Sequence, residues 1–418
     1  MRKKHFLFAS VLALLCGSST LHAQDFKLTS SGYFKNQGVD VMAFDDIYPE
    51  GHQGGVCIIM NGHRVATNGD IRLEATPGQW QPVPKQLDRK LGDNSITATL
   101  CYPDSSRHLT GFNPMIYPDL HLIYTVNVES KGKNIEVTVD LDRPIPQEFI
   151  GKVGFNLEFF PGSLFGKPWI MDGQSGIFPQ QPNSPLMTTQ PNYLHTGNYH
   201  DGKKSLADMN KLIGKGYSPI VADDIISEPY AKGTKFTSRP DDPYNKVTIE
   251  SLSGDLQLFD GRMNHNNGWF VLRSNIKPGV TKGAVKWIIT PNVVADWMYQ
   301  PVIQTSQIGY HPTQDKEAVI EMDIRDNRKE TAQIIRIDAD GEKVVKNVTP
   351  ANWGKFLRYN YLKVNFTDVK EPGLYKIKYN TSVSPIFRID NDVYARGVWQ
   401  PVLEYFLPVQ MCHMRVHE

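Results

Sequence analysis

The sequence predicts a mainly β protein: a large N-terminal β-sandwich, then an immunoglobulin-like β-sandwich, then one or two helices. Apolar and polar residues alternate from Asp25 to about Trp297, and the same period of two returns between Val302 and Ile389. Such alternation places every second side chain on one buried face of a strand. After Asp392 the apolar spacing becomes helical. We predict a signal peptide over residues 1–23, the two sandwiches over residues 24–300 and 301–390, and the start of a helical domain over residues 391–418.

A β-hairpin is the clearest element of the first sandwich. Apolar residues occupy every second position from Leu122 to Val128 and from Ile135 to Leu141, and the segment Ser130 to Lys133 separates the two runs. This pattern is typical of paired strands with one buried face. Asn61-Gly62, directly after the apolar Val56 to Met60, predicts a second tight turn. Further strand residues are Val247, Ile249, Leu256, Leu258 and Trp269 to Leu272, and a short helix is predicted over Ser205 to Ile213.

One segment of the first domain departs from the strand pattern. Residues Phe160 to Gly202 carry Pro and Gly throughout, together with many aromatic residues. A long segment without secondary structure in a compact domain tends to be functional, and aromatic content argues against disorder. Flat rings suit the apolar faces of sugars, although packing against a neighbouring domain is the favoured alternative. The carbohydrate-binding candidates of the first domain are Trp80, Trp169, Tyr193 and Tyr199.

Short alternating runs predict the second sandwich. The chain turns at Asp338-Ala339-Asp340-Gly341, where Asp and Gly suit a tight turn between two strands. Glu371-Pro372-Gly373 predicts another turn, directly before a late strand. So many short strands in a segment of this length are typical of an immunoglobulin-like fold. The strand residues are Ala318, Ile320, Met322, Ile324, Ile335, Ile337, Leu362, Val364, Phe366, Tyr375, Ile377, Tyr379, Phe387 and Ile389.

The charge balance excludes some classes of partner. The chain has 45 basic and 44 acidic residues, a formal net charge of +1, and no long run of one sign. Nucleic-acid binding and polybasic membrane attachment therefore receive no electrostatic support. No segment beyond the N-terminus approaches the roughly 20 apolar residues of a membrane span.

The N-terminus resembles an export signal. Basic residues at positions 2–4 precede an apolar run from Phe6 to Leu15, and a short polar stretch ends at Ala23, after which we expect cleavage. The mature protein is expected to be secreted or periplasmic. Lipid anchoring through Cys16 is the alternative, disfavoured by the bulky Leu15 where lipoprotein signals need a small residue.

Three cysteines remain after cleavage: Cys57, Cys101 and Cys412. This odd number leaves at least one thiol unpaired. Cys57 and Cys101 both lie in predicted strands, so either they form a disulfide or, as we favour, both are buried thiols.

The C-terminal segment predicts an amphipathic helix. Asp392 suits its N-cap, and the apolar residues that follow are three or four positions apart. Such a stripe needs a partner surface, so we expect this chain to be the front part of a larger protein. The stripe residues are Tyr394, Val398, Val402, Tyr405, Phe406 and Val409.

The second sandwich and the C-terminal helix together resemble the N-terminal part of glycoside hydrolase family 9, the cellulase-type enzymes. The matching residues are Gln307-Ile308-Gly309-Tyr310-His311-Pro312, Pro372-Gly373-Leu374-Tyr375, Ser384 to Ile389, and Tyr405 to Cys412. In that family an immunoglobulin-like module precedes an (α/α)6 catalytic barrel. The resemblance implies that the helix opens this barrel and packs on the remainder of the catalytic domain. Proline sterics independently predict a kink, because Pro401 inside the helix would clash with the carbonyl of Gly397, and Pro408 repeats the irregularity.

The resemblance implies inverting hydrolysis of β-glucan or a related plant polysaccharide by a general base Asp and a general acid Glu. Both carboxylates are expected beyond Glu418, so this chain is expected to be an accessory region that does not cleave glycans. Asp338-Ala339-Asp340-Gly341 contains letters similar to the base motif, but we assign it to a turn. The alternative function is a non-catalytic carbohydrate-binding protein that uses the aromatic residues of the first domain.

Other candidate sites are weaker. Cys412 matches a zinc ligand of some family members, but a closed tetrahedral site needs four ligands, so no cofactor is expected here and a structural zinc belongs only to a full-length relative. A catalytic site in the first domain would require Glu50, His52 and His200 to converge. His195 fits no strong metal signature. Asp241-Asp242, between two prolines, predicts a rigid turn rather than a calcium site.

Overall fold

The computed structural model describes residues 25–45, 54–74, 76–77, 84–104, 120–182, 187–189, 225–263, 268–395 and 397–413. The chain divides into two compact units, residues 1–297 and residues 298–418. The predicted fold class is confirmed: the protein is mostly β, with sandwiches that include an immunoglobulin-like one and a helix near the C-terminus.

The first unit is built from antiparallel strands. Single turns of 3-10 helix lie at Gln147–Phe149, Pro161–Ser163 and Gly261–Met263. The strands are β1 (Lys27–Leu28), β2 (Phe34–Asn36), β3 (Val39–Ala43), β4 (Val56–Met60), β5 (His63–Leu73), β6 (Lys85–Leu91), β7 (Ser95–Tyr102), β8 (Leu122–Lys131), β9 (Asn134–Leu141), β10 (Val153–Phe159), β11 (Pro168–Met171), β12 (Gln174–Ile177), β13 (Met187–Thr189), β14 (Ile225–Ser227), β15 (Ala231–Gly233), β16 (Lys235–Ser238), β17 (Val247–Ser251), β18 (Leu256–Asp260), β19 (Phe270–Asn275) and β20 (Val285–Pro291).

Two large sheets form this unit. In the described part of the chain, one sheet has the strand order β1-β2-β3-β4-β5-β10-β19-β18-β15 and the other β12-β11-β16-β17-β20-β9-β8-β7-β6, while β13 pairs with β14. Their apolar residues pack into one core, in which Phe155 of β10 meets Trp287 of β20 edge to face at a centroid distance of 5.0 Å. Because alternate residues of each strand enter this core, the period of two seen in the sequence becomes a buried face.

The predicted hairpin and tight turn of the first unit are confirmed. Strands β8 and β9 pair from Tyr124 opposite Leu141 to Lys131 opposite Asn134. Asn61 and Gly62 connect β4 to β5 with φ angles of 52° and 84°. Two positive φ values in succession are what a two-residue hairpin turn requires, which explains the Asn-Gly pair.

The prediction of a structureless segment from Phe160 onward is wrong for its first part. Strands β11 and β12 form a hairpin in which Trp169 lies opposite Gly176. The guanidinium of Arg262 holds the residues that follow by donating hydrogen bonds to the carbonyls of Pro179 and Gln180 at 2.8 Å. The helix predicted over Ser205 to Ile213 lies outside the described residues.

The second unit is an immunoglobulin-like sandwich. Among the residues described, one sheet has the order β21-β22-β26-β25, and the other has β24-β23-β27-β28 with β29 also paired to β27. The strands are β21 (Val302–Gln304), β22 (Glu317–Asp323), β23 (Ala332–Asp338), β24 (Gly341–Val348), β25 (Ala351–Phe356), β26 (Tyr359–Asn365), β27 (Gly373–Tyr379), β28 (Ser382–Val383) and β29 (Phe387–Ile389).

Two predicted turns of this unit are confirmed. Asp338 pairs with Gly341 at the end of the β23-β24 hairpin, so Asp338-Ala339-Asp340-Gly341 is a turn. The Tyr375 hydroxyl donates to the carbonyl of Glu371 at 2.8 Å, across the second turn. A tyrosine that bonds back to the residues before its own strand is a hallmark of immunoglobulin-like domains.

The Gln307 to Pro312 motif joins the beginning of this unit to its end. The Tyr310 backbone N–H donates to the carbonyl of Arg388, and its carbonyl accepts from Asp390. A Cβ at Gly309 would lie 2.3 Å from the Arg388 carbonyl oxygen, and the φ of Gly309 is 106°. Only glycine tolerates both this conformation and this approach.

The C-terminal helix begins later than predicted. Helix α1 spans Gln400–His413, and Asp392 instead forms an ion pair with Arg388 at 3.0 Å. Gly397 has a φ of 73°, which ends any helical path from Asp392. Pro401 therefore lies in the first helical turn, where proline is tolerated because its missing N–H has no helical partner. The prediction of a Pro401 kink inside the helix is wrong for this reason.

Two further predictions concern the membrane and the cysteines. In the described part of the chain, no helix is both long and apolar enough to cross a membrane.

Cys101 is a partly buried free thiol, so the alternative of a disulfide with Cys57 does not hold.

Candidate functional site

Of the predicted sugar-binding residues, the structure describes only Trp169. This side chain is buried, 5% exposed, and its ring covers Gly176 so closely that a Cβ there would lie 2.4 Å from it. Little of the ring is left for a ligand. Trp80, Tyr193 and Tyr199 lie outside the described residues, so a sugar site built from these four residues stays a prediction.

The residues that the structure describes do not include the complete set for either the metal site or the catalytic site considered from the sequence. Cys412 lies within α1, whereas Glu50, His52, His195 and His200 fall outside the described ranges. Within those ranges, no three His, Cys, Asp or Glu side chains are placed to hold a metal ion.

Asp241 and Asp242 form the rigid turn that the sequence predicts. The Arg239 guanidinium pairs with Asp241 at 3.1 Å and with Asp242 at 2.8 Å. Asp242 also accepts from the Tyr244 backbone N–H and from the Asn245 side chain.

A buried polar network crosses the centre of the first unit. It is carried by the adjacent strands β5, β10 and β19, where Asn156 of β10 lies opposite both Asp70 and Arg273. The network residues are Asp70, Arg72, Glu74, Asn156, Glu158 and Arg273, each less than a tenth exposed. Buried charges at this density persist only when they are paired and hydrogen-bonded.

Arg273 connects the three strands of this polar network. Its guanidinium donates to the Glu74 carboxylate at 3.1 Å, to the Asn156 side chain at 3.1 Å and to the Lys152 carbonyl at 2.7 Å. The absence of a side chain at Gly154 makes room for it, because a Cβ there would lie 2.8 Å from Nε of Arg273. The sheet is therefore cross-linked by ionic contacts as well as by its backbone ladder.

Two carboxyl groups of this network titrate near neutral pH. Burial raises the pKa of Glu74 to about 7, against the opposing effect of Arg273. Burial likewise raises the pKa of Asp70 to about 6, although Arg72 and the Tyr124 hydroxyl, which donates to Asp70 at 2.8 Å, favour the charged form. Groups with such pKa values can accept and donate protons at neutral pH, as catalytic acids and bases do. Contacts between strands nevertheless account for this network without any substrate.

A second candidate site is the outer face of the β21-β22-β26-β25 sheet in the second unit. Tyr361 and Lys363 of β26 lie opposite Glu321 and Val319 of β22 on this face. The pairing of β25 with β26 shifts register between Asn352 and Gly354. Trp353 lies between these two residues, at an irregularity of the kind that commonly changes the direction of a side chain.

Four rings follow one another across this face, and we name them the aromatic row: Tyr299, Tyr359, Tyr361 and Trp353. Successive centroids are 5.1, 6.1 and 5.6 Å apart. Trp353 meets Tyr361 at an interplanar angle of 89°. The two rings thus present surfaces at right angles to each other.

Glu321 holds two tyrosines of the aromatic row in place. The Tyr299 hydroxyl donates to its Oε1 at 2.9 Å and the Tyr361 hydroxyl to its Oε2 at 3.1 Å. Partial burial raises the pKa of both phenols, and the Glu321 hydrogen bonds raise it further. Both hydroxyls therefore remain protonated donors at neutral pH.

A hollow lies beside the aromatic row. Its volume is about 210 Å³, and its lining residues are Val319, Trp353, Phe356, Tyr361 and Lys363. This is below the roughly 300 Å³ of typical pockets for drug-sized ligands. It suits one ring-sized group of a longer ligand that otherwise lies on the surface.

The period-two pattern of the sequence does not reveal this aromatic face. Trp353, Phe356, Tyr359 and Tyr361 are concentrated within nine positions, which is a visible signal. Alternation alone assigns Tyr359 and Tyr361 to the outer face of a strand, but it gives no position for Trp353 because the register shift interrupts the period.

The comparison with protein families locates one match. Residues 298–384 match the family model described as the cellulase N-terminal Ig-like domain. The second unit therefore contains a cellulase-type immunoglobulin-like module, as the Gln307 to Pro312 motif predicts. No curated protein matches the chain.

Proposed function

We propose that this chain is the N-terminal accessory region of a secreted or periplasmic family 9 glycoside hydrolase that acts on β-glucan-type polysaccharide. The observation that carries the proposal is the match of residues 298–384 to the cellulase N-terminal Ig-like domain. In this proposal the chain does not cleave glycans by itself. The general base and general acid of inverting hydrolysis belong to a catalytic domain that continues from α1.

The surface of α1 supports a continuing domain. Its residues Val402, Leu403, Tyr405 and Phe406 are all more than half exposed, and so is Trp399 just before it. A helix with this much exposed apolar surface gains stability only when another surface covers it. Packing on the catalytic barrel is the partner that the family resemblance implies.

Two measurements test this proposal together. The coding DNA after the codon of Glu418 is expected to encode a barrel with the two carboxylates, and the protein purified from the secreted or periplasmic fraction is expected to have the corresponding larger mass. A natural product with the mass of residues 24–418 would contradict the proposal. An N-terminus at Gln24 is expected, whereas an acylated N-terminal Cys16 would instead identify a lipoprotein.

An activity assay tests the non-catalytic role. The 418-residue chain is expected to release no reducing sugar from soluble β-glucan. If it does, replacing Glu50, His52 and His200 by Ala distinguishes an active site in the first domain from a contaminating hydrolase. Turnover lost in these variants would replace the accessory role by a catalytic one.

A further inference from the structure

We propose that the outer face of the β21-β22-β26-β25 sheet binds an uncharged β-linked glucan chain, with the aromatic row as its platform and the hollow beside Trp353 as the seat of one sugar ring. The choice of glucan rests on the proposed function. The site itself is in the second unit and does not use the aromatic residues predicted for the first.

The exposure of the aromatic side chains is the first argument. Trp353 is 56% exposed and Phe356 is 57% exposed, on a strand whose neighbour β26 buries Leu362 and Val364 in the core. A cluster of large aromatic side chains left in water marks a binding site, whereas a single exposed one is ordinary. Two of them line one hollow here.

Ring geometry indicates a sugar. The two faces of a β-linked glucose ring carry C–H bonds and are apolar, whereas its hydroxyl groups project around the rim. Trp353 and Tyr361, at 89° to each other, offer one flat surface for such a face and another for the edge. The aromatic row continues the apolar surface to Tyr359 and Tyr299, which gives an extended chain further rings to contact.

Polar groups at the border of the hollow match the hydroxyl rim. Lys363 lines the hollow and forms an ion pair with Glu317 at 2.9 Å. Glu321 accepts hydrogen bonds from the hydroxyls of Tyr299 and Tyr361. Groups already oriented by such contacts lose little entropy when they bind a ligand.

The charge of the face indicates that the ligand is neutral. Glu317 is paired with Lys363, Glu321 accepts from two tyrosines, and Asp323 is bridged by Arg325 at 2.8 Å. Two of these three carboxylates are paired with cations, so the face carries no run of charges of one sign that would attract a charged polysaccharide or a charged protein surface. A glucan without acidic groups fits this balance.

Binding of soluble mixed-linkage β-glucan tests the proposal. The full chain is run by affinity electrophoresis in gels that contain this polysaccharide, and cellohexaose is titrated against the protein in solution. The wild type is expected to be retarded in the gel and to bind cellohexaose. Trp353→Ala is expected to raise the Kd by about tenfold or more, the loss typical of a truncated central aromatic anchor. Trp353→Phe keeps a flat ring and is expected to retain most of the affinity.

The chain offers a matched control for this substitution. Trp399 is exposed to the same fraction as Trp353, 56%, and belongs to the same unit. Trp399→Ala is therefore expected to leave glucan binding unchanged. Equal losses in Trp353→Ala and Trp399→Ala would overturn the proposal, as would equal retardation in gels with an α-linked glucan. A thermal unfolding midpoint unchanged by Trp353→Ala excludes misfolding as the cause of lost binding.

Other occupants of the face give different results. Glucan binding that survives Trp353→Ala would place the sugar site elsewhere and overturn this proposal, while leaving the accessory role intact. Absence of glucan binding, with self-association that Trp353→Ala abolishes, would identify a contact between two copies and also overturn it. Trp353-dependent glucan binding by a chain whose gene encodes no barrel would uphold this site and reject the hydrolase.

Discussion

The pKa values of key carboxylates are shifted in opposite directions in the two units of this protein. In the first unit, Asp70 and Glu74 are buried between strands, and burial raises the pKa of both, to about 6 and about 7. In the second unit, burial alone would raise the pKa of Asp323, but hydrogen bonds from Arg325 and from backbone N–H groups lower it to about 2. The side chain of Arg325 is 43% exposed, whereas that of Arg273 is 2% exposed.

This difference follows from where the ion pairs lie. A buried pair gives up the hydration of both charges, so its net contribution is small even though breaking it is costly. Asp323 is also buried, 5% exposed, but its partner Arg325 extends into water, and the backbone N–H groups of Tyr299 and Arg325 donate hydrogen bonds to its carboxylate. We therefore expect the two units to respond in opposite directions to pH, and to differ in their sensitivity to the loss of an arginine.

The largest expected effect is that of Arg273→Ala in the first unit. Removing this guanidinium leaves the Glu74 carboxylate and the Lys152 carbonyl without its hydrogen bonds in a buried site. We expect a loss of about 3 to 5 kcal/mol in the free energy of unfolding, as for other broken buried pairs. Hydrogen exchange of peptides from β5, β10 and β19, read by mass spectrometry, measures this loss locally.

Arg325→Ala is the matched substitution in the second unit. Its partner Asp323 keeps backbone hydrogen bonds from Tyr299 and from residue 325, and Arg325 is partly in water. The expected loss is about 1 kcal/mol or less in the exchange of β22 and β26 peptides. Equal losses for the two arginine variants would remove the distinction between the units.

The next effect is a fall in the stability of the first unit as the pH rises. Because the pKa of Glu74 is higher in the folded state than its ordinary value of 4.5, folding binds a proton between these two values. Its contribution is fully present below about pH 4.5 and is lost as the pH rises through about 7. We expect Glu74 alone to lower the free energy of unfolding by about 2 to 3 kcal/mol between pH 5 and pH 8.

Glu74→Gln tests the origin of that pH dependence. The amide cannot ionise and retains the shape of the protonated acid, so the variant is expected to lose most of the fall between pH 5 and pH 8. Asp70, with its pKa of about 6, accounts for the remainder, and Arg72, Glu158 and Arg273 face the same space. A wild-type first unit that gains stability as the pH rises would contradict the assignment.

Much of the fold was predictable because it depends on local alternation and on turn chemistry. The β8-β9 hairpin, the Asn61-Gly62 turn and the strands from Ala318 to Ile389 follow from a period of two with Gly, Asp or Asn between the runs. The start of α1 was missed because Asp392 has the features of an N-cap, and the positive φ of Gly397 is decided by the completed chain path.

The candidate sites were harder to predict. The alternation Asp70-Ile71-Arg72-Leu73-Glu74 is typical of a strand with one face in water, yet both faces are buried and the polar one pairs with β10 and β19. Contacts between residues as distant as Glu74 and Arg273 have no local signature. Trp353 differs from the sequence expectation in the opposite direction. An aromatic residue in a strand suggests a buried position, but Trp353 lies at a register shift and is exposed.

The smallest expected effect is acid destabilisation of the second unit through Asp323. Because its pKa is lowered from 3.8 to about 2 in the folded state, its contribution is present above about pH 4 and is lost as the pH falls towards 2. Solvent near Arg325 screens the pair, so we expect about 1 kcal/mol at most. In wild-type protein, protection of β22 and β26 against hydrogen exchange is expected to fall between pH 4 and pH 2. Asp323→Asn is expected to reduce this fall without changing the hydrogen exchange of β5 and β10. If Asp323→Asn instead altered the stability change of the first unit between pH 5 and pH 8, the two pH dependences could not be assigned to separate units.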